Sequence, residues 1–139
     1  MTTLIINNNS KKNKLIRLEK AYNNNKIIIM YVYADWCIYC QIFKQSWVSF
    51  KKEINKNPKL KEKILLVELN SNYLKFRKEN EVLDKLLKNF KLYPTIIYSH
   101  NSKISYLVGD NKLKDTDNLI KKSTKSEKKI IRRNSKKAS

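Results

Sequence analysis

The sequence predicts an α/β protein with a central mixed sheet of four to five strands and helices on both faces. Two apolar runs, at 26–33 and 64–69, lack polar alternation, which is typical of strands covered on both faces. Segments with helical apolar spacing surround these runs. Two further runs, at 93–98 and 104–108, flank a short turn and predict a hairpin. The alternating strands and helices indicate a parallel part of the sheet, and the hairpin an antiparallel part.

The first half of the chain is predicted to contain a short first strand and two helices. Residues 4–6 predict a first strand, and residues 11–22 a first helix that three asparagines follow. A second helix is expected to begin at Cys37, directly after the central strand, and to end before Pro58, because proline breaks a helix interior. Its buried face is marked by four apolar residues at helical spacing: Phe43, Trp47, Phe50 and Ile54.

The second half follows the same alternation. A third helix is predicted after the strand at 64–69, and its apolar stripe runs from Val82 to Phe90. Pro94 opens the next strand, where a proline is tolerated. Gly109, the only glycine, closes the hairpin, and a last helix is expected from about Leu113.

The composition changes after residue 120. Residues 121–139 contain nine Lys or Arg residues, one acid and few apolar residues. Such a segment cannot bury enough apolar surface to fold by itself. The sequence therefore predicts one domain at 1–120 and a basic, disordered tail at 121–139.

Cys37 and Cys40 are the only cysteines in the chain, and they lie at the predicted start of the second helix. Cysteines at this spacing can form a disulfide across one helical turn. The first of them lies at the helix N-terminus, where unpaired N–H groups and the helix dipole favour a thiolate. Such a thiolate can attack a substrate disulfide, and the neighbouring thiol can resolve the mixed disulfide. The pattern predicts a dithiol–disulfide exchange site.

A metal site and an inert cysteine pair are the alternatives. Zinc normally takes four protein ligands, or three and a water. The chain offers two cysteines and one distant histidine, His100, so we expect no metal and no other cofactor. An iron–sulfur cluster shared between two chains would need further ligands. The position of the pair between a buried strand and a helix favours redox exchange.

Three segments together resemble the thioredoxin family over residues 3–120. They are the Ala-Asp-Trp-Cys-Ile-Tyr-Cys segment at 34–40, Leu69-Asn70 at the end of the next strand, and Tyr93-Pro94-Thr95. The resemblance implies a thioredoxin fold and a thiol–disulfide oxidoreductase that acts on protein thiols and disulfides. It also implies a redox partner, which would be a reductase or an oxidase.

The resemblance also implies roles for individual residues. Cys37 would be the exposed nucleophile and Cys40 the buried resolving thiol. Pro94 would follow a cis peptide bond, pack against the cysteines and direct the Tyr93 backbone toward an extended substrate. Trp36 would flank the nucleophile and shape the docking surface. The residues expected to contact substrate are Trp36, Tyr39, Tyr93 and Pro94.

Several positions depart from the family pattern. Ile38 and Tyr39 replace the Gly-Pro pair of the family reductases, and this pair tunes the redox potential. Because a helix N-terminus and a positive field both favour a thiolate, and hence the reduced form, we expect the protein to be more oxidising than an ordinary thioredoxin. Residues 71–80 are expected to be a short insertion before the third helix.

A second departure concerns the family's buried acid and its lysine partner. These two positions are occupied here by Tyr31 and Glu68. We interpret Tyr31 and Tyr33 as packing residues of a buried strand. Our hypothesis is that Glu68 instead assists the deprotonation of Cys40.

The net charge of +19 suggests an alternative function. A field this positive attracts polyanions, including nucleic acid and acidic protein surfaces. The protein could thus be a basic, nucleic-acid-associated structural protein, for instance in a virion, with secondary redox activity. The 121–139 tail would contact the nucleic acid, and its lack of aromatic residues argues against base-specific recognition. No secretory signal or membrane-length apolar run is visible, so we expect a cytoplasmic protein, or one packaged in a virion, with no membrane contact.

Overall fold

A computed structural model of the chain describes residues 3–10 and 12–124. The strands are β1 (Thr3–Ile6), β2 (Ile27–Tyr33), β3 (Ile64–Asn70), β4 (Thr95–His100) and β5 (Lys103–Leu107). The helices are α1 (Lys12–Asn23), α2 (Ile38–Lys56), α3 (Pro58–Lys63), α4 (Glu81–Leu86) and α5 (112–124), with a 3₁₀ helix at Ser71–Glu79. Within these residues, no helix is long and apolar enough to cross a membrane.

The five strands form one mixed sheet in the order β1-β3-β2-β4-β5. β1 and β2 run parallel to β3, whereas β4 is antiparallel to both β2 and β5. The predicted parallel part and terminal hairpin are therefore confirmed. In this register Val32, near the end of β2, lies opposite Thr95, at the start of β4. The sheet thus brings the segment before Cys37 next to the segment that contains Pro94.

The central strand β2 is buried on both faces, as its unbroken apolar sequence predicts. Alternate side chains of a strand point to opposite faces. One face of the sheet packs against α1 and α4, with Ile28, Met30 and Val32 from β2. The other face packs against α2 and α5, with Ile27, Ile29 and Tyr31 from β2. Helices therefore cover both faces, and the side chain of Tyr31 lies on the α2 side.

The third helix differs from its prediction. A stripe to Phe90 was expected after an insertion at 71–80, whereas α4 ends at Leu86 and a 3₁₀ helix precedes it. Asn80 separates the two helices because its backbone is extended, with φ −129° and ψ 116°. Its side-chain oxygen accepts the N–H of Leu83 at 2.9 Å, and its amide donates to Glu19 at 2.7 Å. This capping starts a new helix at residue 81.

The predicted tail begins too early. Residues 121–124, which were expected to be disordered, continue α5. Ile120 is buried, and the hydroxyl of Tyr98 is 2.7 Å from the hydroxyl of Ser123, which fixes this last turn against β4. The rest of the predicted tail, 125–139, lies outside the described residues.

Candidate active site

Cys37 is the N-cap residue of α2. β2 ends at Tyr33, a short turn follows, and Cys37 has the extended backbone of a cap, with φ −87° and ψ 116°. Its Sγ atom accepts the backbone N–H of Cys40 at 3.2 Å. The sulfur therefore lies at the positive end of the helix dipole and uses one of the N–H groups that have no partner within the helix. This confirms that the cysteine pair lies at the start of a helix.

Cys40 lies one turn further along α2 and is only 3% exposed; both thiols are free. Burial raises the pKa of Cys40 to about 11, and the hydrogen bond and charge of Cys37 act in the same direction. A backbone hydrogen bond from Ala34 and the hydroxyl of Tyr31 lower the pKa in part. Cys40 therefore carries its proton at neutral pH, and it must lose that proton before it can act as a nucleophile.

The predicted exposure of Cys37 is wrong. The residue is only 6% exposed, and with Ala34 and Cys40 it forms a small buried cluster. The side chains of Tyr33 and Tyr93 pack against this cluster and cover it. Any group that reacts with Cys37 must therefore come into close contact with the protein surface at this point.

Tyr93 packs against the cysteine cluster, contacts Trp36 and directly precedes Pro94. The Tyr93–Pro94 peptide bond is cis, and Pro94 is buried. The ring of Tyr93 contacts the ring of Trp36 edge-on, with centroids 5.6 Å apart, and packs against the cysteine cluster. Burial and the nearby Cys40 raise the pKa of Tyr93. Tyr93 thus lies next to four other predicted site residues, which are Cys37, Cys40, Trp36 and Pro94.

The cysteines are surrounded by an exposed apolar surface, defined here as Trp36, Ile38, Tyr39 and Ile42. These side chains are 64–75% exposed, and all lie at or near the start of α2. Large apolar side chains that are exposed next to one another mark an interaction site, whereas single exposed apolar residues are normal. Tyr39 therefore lies in the exposed apolar surface, between the two cysteines in the chain.

Glu68 and Cys40 line the same cavity, whose volume is about 430 Å³. The carboxylate of Glu68 accepts a hydrogen bond from Lys51 Nζ at 2.6 Å, and both side chains are largely buried. Its charge also contributes to the raised pKa of Tyr33. The Glu68 carboxylate therefore shares a cavity with the Cys40 thiol and is itself held by the Lys51 ammonium group.

Tyr31 is the site residue that the sequence analysis missed. Its hydroxyl donates a hydrogen bond to the backbone oxygen of Cys40 at 3.2 Å. Its register partner on β3 is Glu68. The signal is present in the sequence, because strand alternation places a polar hydroxyl at this position on the face that α2 covers. The interpretation of Tyr31 as packing alone is therefore incomplete.

Lys112, at the start of α5, also lies at the site. Its Nζ atom is 4.0 Å from the ring centroid of Phe43 and donates to the backbone oxygen of Gly109 at 2.9 Å. Burial lowers its pKa, while the charges of Asp110 and Cys40 act in the opposite direction. Among 31 Lys and Arg residues, nothing in the sequence distinguishes this one.

Comparisons with known proteins agree with this geometry. The family model for thioredoxin matches residues 8–122. The structure is similar to that of thioredoxin O1 from Arabidopsis thaliana in the oxidised state, with a TM-score of 0.59 and 13% identity over 88% of this chain and 97% of that one. It is also similar to thioredoxin NaTrxh from Nicotiana alata, with a TM-score of 0.60 and 15% identity over 87% and 94% of the two chains.

A third similar structure is a complex of ferredoxin:thioredoxin reductase with thioredoxin f2, with a TM-score of 0.55 and 15% identity over 88% of this chain and 96% of the matched one. No curated protein sequence matches significantly. The low identities show the fold, and the family match covers most of the chain. The fold and the cysteine pair define a thioredoxin-fold protein with a CxxC-type motif. The chain belongs to the thioredoxin family.

Proposed function

We propose that the protein is a thiol–disulfide oxidoreductase that exchanges a Cys37–Cys40 dithiol or disulfide with protein substrates. One observation carries the proposal: Cys37 Sγ accepts the N–H of Cys40 at the start of α2, with the second free thiol one turn away. An N–H donor and a helix N-terminus both stabilise a sulfur anion. The arrangement supports Cys37 as the nucleophile and Cys40 as the resolving thiol.

The exchange has two steps. The Cys37 thiolate attacks one sulfur of a substrate disulfide, so that a Cys37–substrate bond forms and the other substrate sulfur leaves as a thiolate. Cys40 then loses its proton and attacks Cys37 Sγ. The Cys37–Cys40 disulfide forms, and the second substrate sulfur leaves. Two electrons have passed to the substrate, and the same steps in reverse oxidise a substrate dithiol.

Proteins are the substrate class that the surface favours. The exposed apolar surface extends over the first turns of α2, as a docking face for a peptide segment would. Trp36 and Tyr39 would contact that segment, and Tyr93 and Pro94 would border it. The net charge of +19 would attract acidic partners. Thioredoxin f2 forms a complex with a reductase, and we propose that a reductase or an oxidase likewise renews this site.

The reduction potential tests the proposal directly. We expect a value above the roughly −270 mV of ordinary thioredoxin, because a stabilised Cys37 thiolate favours the reduced form. The protein would be equilibrated in glutathione buffers, its free thiols alkylated, and the reduced fraction read by mass spectrometry. A double change of Ile38→Gly and Tyr39→Pro should lower the potential. The absence of any reversible two-electron transition would contradict the proposed function.

The proposed role of Glu68 predicts a selective effect. If its carboxylate accepts the proton of Cys40 through the shared cavity, Glu68→Gln should slow the resolving step about tenfold and leave attack by Cys37 unchanged. Both steps can be followed with 5,5′-dithiobis(2-nitrobenzoate), which releases one coloured thiolate in each. Lys51→Gln is the control, since it removes the ion-pair partner and keeps the carboxylate. An unchanged second phase in Glu68→Gln would exclude the role.

The nucleic-acid alternative and the compartment stay hypotheses. The proposed contact depends on the basic charge of 121–139, most of which lies outside the described residues. We propose a cytoplasmic site of action as the simplest setting for a catalytic dithiol, with packaging in a virion as the other. Neither hypothesis changes the chemistry of the cysteine pair.

A further inference from the structure

We propose that Tyr31 positions Cys40 and stabilises its thiolate in the resolving step through its buried hydroxyl group. The inference rests on the proposed function and adds a residue to it. Tyr31 touches neither the substrate nor the attacked disulfide in this scheme. It acts through Cys40 and is therefore a positioning residue.

The hydroxyl of Tyr31 is held firmly against Cys40. Tyr31 is only 4% exposed, and its hydroxyl donates to the backbone oxygen of Cys40 at 3.2 Å. Its ring stacks on Tyr33 with centroids 5.1 Å apart, and packs against Phe43 and Trp47 at 5.3 and 5.2 Å. A ring confined by three others cannot swing away. The same hydroxyl also interacts with the side chain of Cys40, so the thiol is its second acceptor.

The phenol of Tyr31 remains a donor throughout the useful pH range. Burial raises its pKa far above the ordinary value, and the charges of Cys40 and Cys37 act in the same direction. Its hydrogen bond lowers the pKa of Cys40, against the larger opposite effect of burial. A neutral donor can stabilise a buried anion without adding a second charge that must itself be desolvated.

Other titratable groups face the same region from every neighbouring element. Tyr33 on β2 and Glu68 on β3 line the same cavity as Cys40 from the side of the sheet. Lys112 at the start of α5 contacts Phe43, and its ammonium is attracted to the Cys40 thiolate. The remaining neighbours are Cys37, Lys44 and Lys51 of the α2 region, Asp35 in the preceding turn, and Tyr93 before β4.

Tyr31 acts as a hydrogen-bond donor in the resolving step. Cys40 gives up its proton in the 430 Å³ cavity that it lines with Tyr31 and Glu68, where the Glu68 carboxylate or solvent accepts it. The Tyr31 hydroxyl keeps its own proton and donates to the sulfur as negative charge develops there. The Cys40–Cys37 bond then forms, the Cys37–substrate bond breaks, and the substrate thiolate takes up a proton from solvent. The hydroxyl again has the backbone oxygen of Cys40 as its acceptor.

Tyr31→Phe removes the hydroxyl and keeps the ring. With 5,5′-dithiobis(2-nitrobenzoate), we expect an unchanged first phase, which reports attack by Cys37, and an approximately tenfold slower second phase at pH 7, which reports resolution by Cys40. In an NMR titration of the protein labelled with ¹³C at cysteine Cβ, the ionisation of Cys40 should move to higher pH in this variant. The displacement is upward because the lost donor stabilised only the thiolate.

Tyr33→Phe is the matched control. Tyr33 stacks on Tyr31 and lies beside the same cavity, but its hydroxyl makes a hydrogen bond with Asn70. It should change the second phase by less than about twofold and leave the Cys40 titration in place. Both variants keep their rings, so an equal slowing in both would show that the loss of either hydroxyl beside the cavity has the same effect, and it would overturn the proposal. So would an unchanged second phase in Tyr31→Phe.

A measurement on the unaltered protein keeps the test decisive if Tyr31→Phe does not fold. The protein is labelled with ¹³C at tyrosine Cζ and titrated by NMR. The Tyr31 resonance should shift at the pH at which Cys40 ionises, and by more than the Tyr33 resonance. No such shift would overturn the proposal. The titrations require no substrate, so they remain informative even if the protein proves inactive on protein disulfides and the proposed function fails.

Discussion

Replacing Cys37 with Ser is expected to reduce disulfide exchange at least about a thousandfold, to the rate without enzyme. A serine hydroxyl does not ionise near neutral pH, so the nucleophile is lost. Cys40 cannot replace it. With a pKa of about 11, only about one Cys40 thiol in ten thousand is ionised at pH 7, and the residue is 3% exposed. Reduction of insulin disulfides by the protein with dithiothreitol measures the loss.

The Cys37→Ser variant should still fold normally. Its Oγ atom can accept the N–H of Cys40, as Cys37 Sγ does, and serine is a favoured N-cap residue. Thermal unfolding followed by circular dichroism would verify this. Gln41→Ala serves as the control, since it changes an exposed side chain one residue beyond the pair and should keep nearly full activity. If Cys37→Ser retained a tenth or more of the activity, Cys37 would not be the nucleophile.

The fold could be predicted from the sequence because its strongest determinants are local and periodic. The run at 27–33 is apolar at every position, so it had to be covered on both faces, and the structure buries it against α1 and α2. Pro58 ended one helix and began the next, as a residue without an N–H group should. The start of α2 could be predicted because the continuous apolar run of the strand gives way, after residue 37, to apolar residues at helical spacing.

The departures arose where a tertiary contact outweighed the local pattern. The stripe from Val82 to Phe90 has helical spacing, yet α4 ends at Leu86. The start of α4 is fixed by the contact of Asn80 with Glu19, which is 61 residues away in the chain. Likewise, the polar sequence of 121–124 gave no sign that Ser123 would meet Tyr98 on the sheet. Pairings over such distances leave no periodic signal in a single sequence.

The place of the cysteine pair in the fold could be predicted from the sequence, but its environment could not. The spacing of Cys37 and Cys40 fixed their place on a helix, but side chains distant in sequence decide their burial. Tyr93 covers Cys37, although the two are 56 positions apart. Strand alternation could have shown that the Tyr31 hydroxyl faces α2. No local rule could have selected Lys112 from the many exposed lysines, because its burial depends on the Phe43 ring.

Replacing Cys40 with Ser should trap substrates on the protein. Attack by Cys37 is expected to proceed at close to the normal rate, since the change of side chain leaves in place the backbone N–H that donates to Cys37 Sγ. The mixed disulfide then has no internal thiol to resolve it. After exposure to an oxidised substrate protein, we expect nearly all molecules of the variant to carry the mixed disulfide. In the unaltered protein the fraction should be about a hundredth or less. Mass spectrometry under non-reducing conditions measures both.

The size of this effect follows from proximity. A thiol one helical turn from the mixed disulfide acts at an effective concentration far above that of any thiol in solution. Its raised pKa reduces that advantage at neutral pH, so resolution in the normal protein should accelerate as the pH rises toward 11. The Cys37→Ser, Cys40→Ser double variant is the control and should form no adduct. Release from Cys40→Ser at the normal rate would mean that a thiol of the substrate, and not Cys40, resolves the intermediate. Because Tyr31→Phe impairs the same step without removing the sulfur, it should accumulate the adduct only transiently.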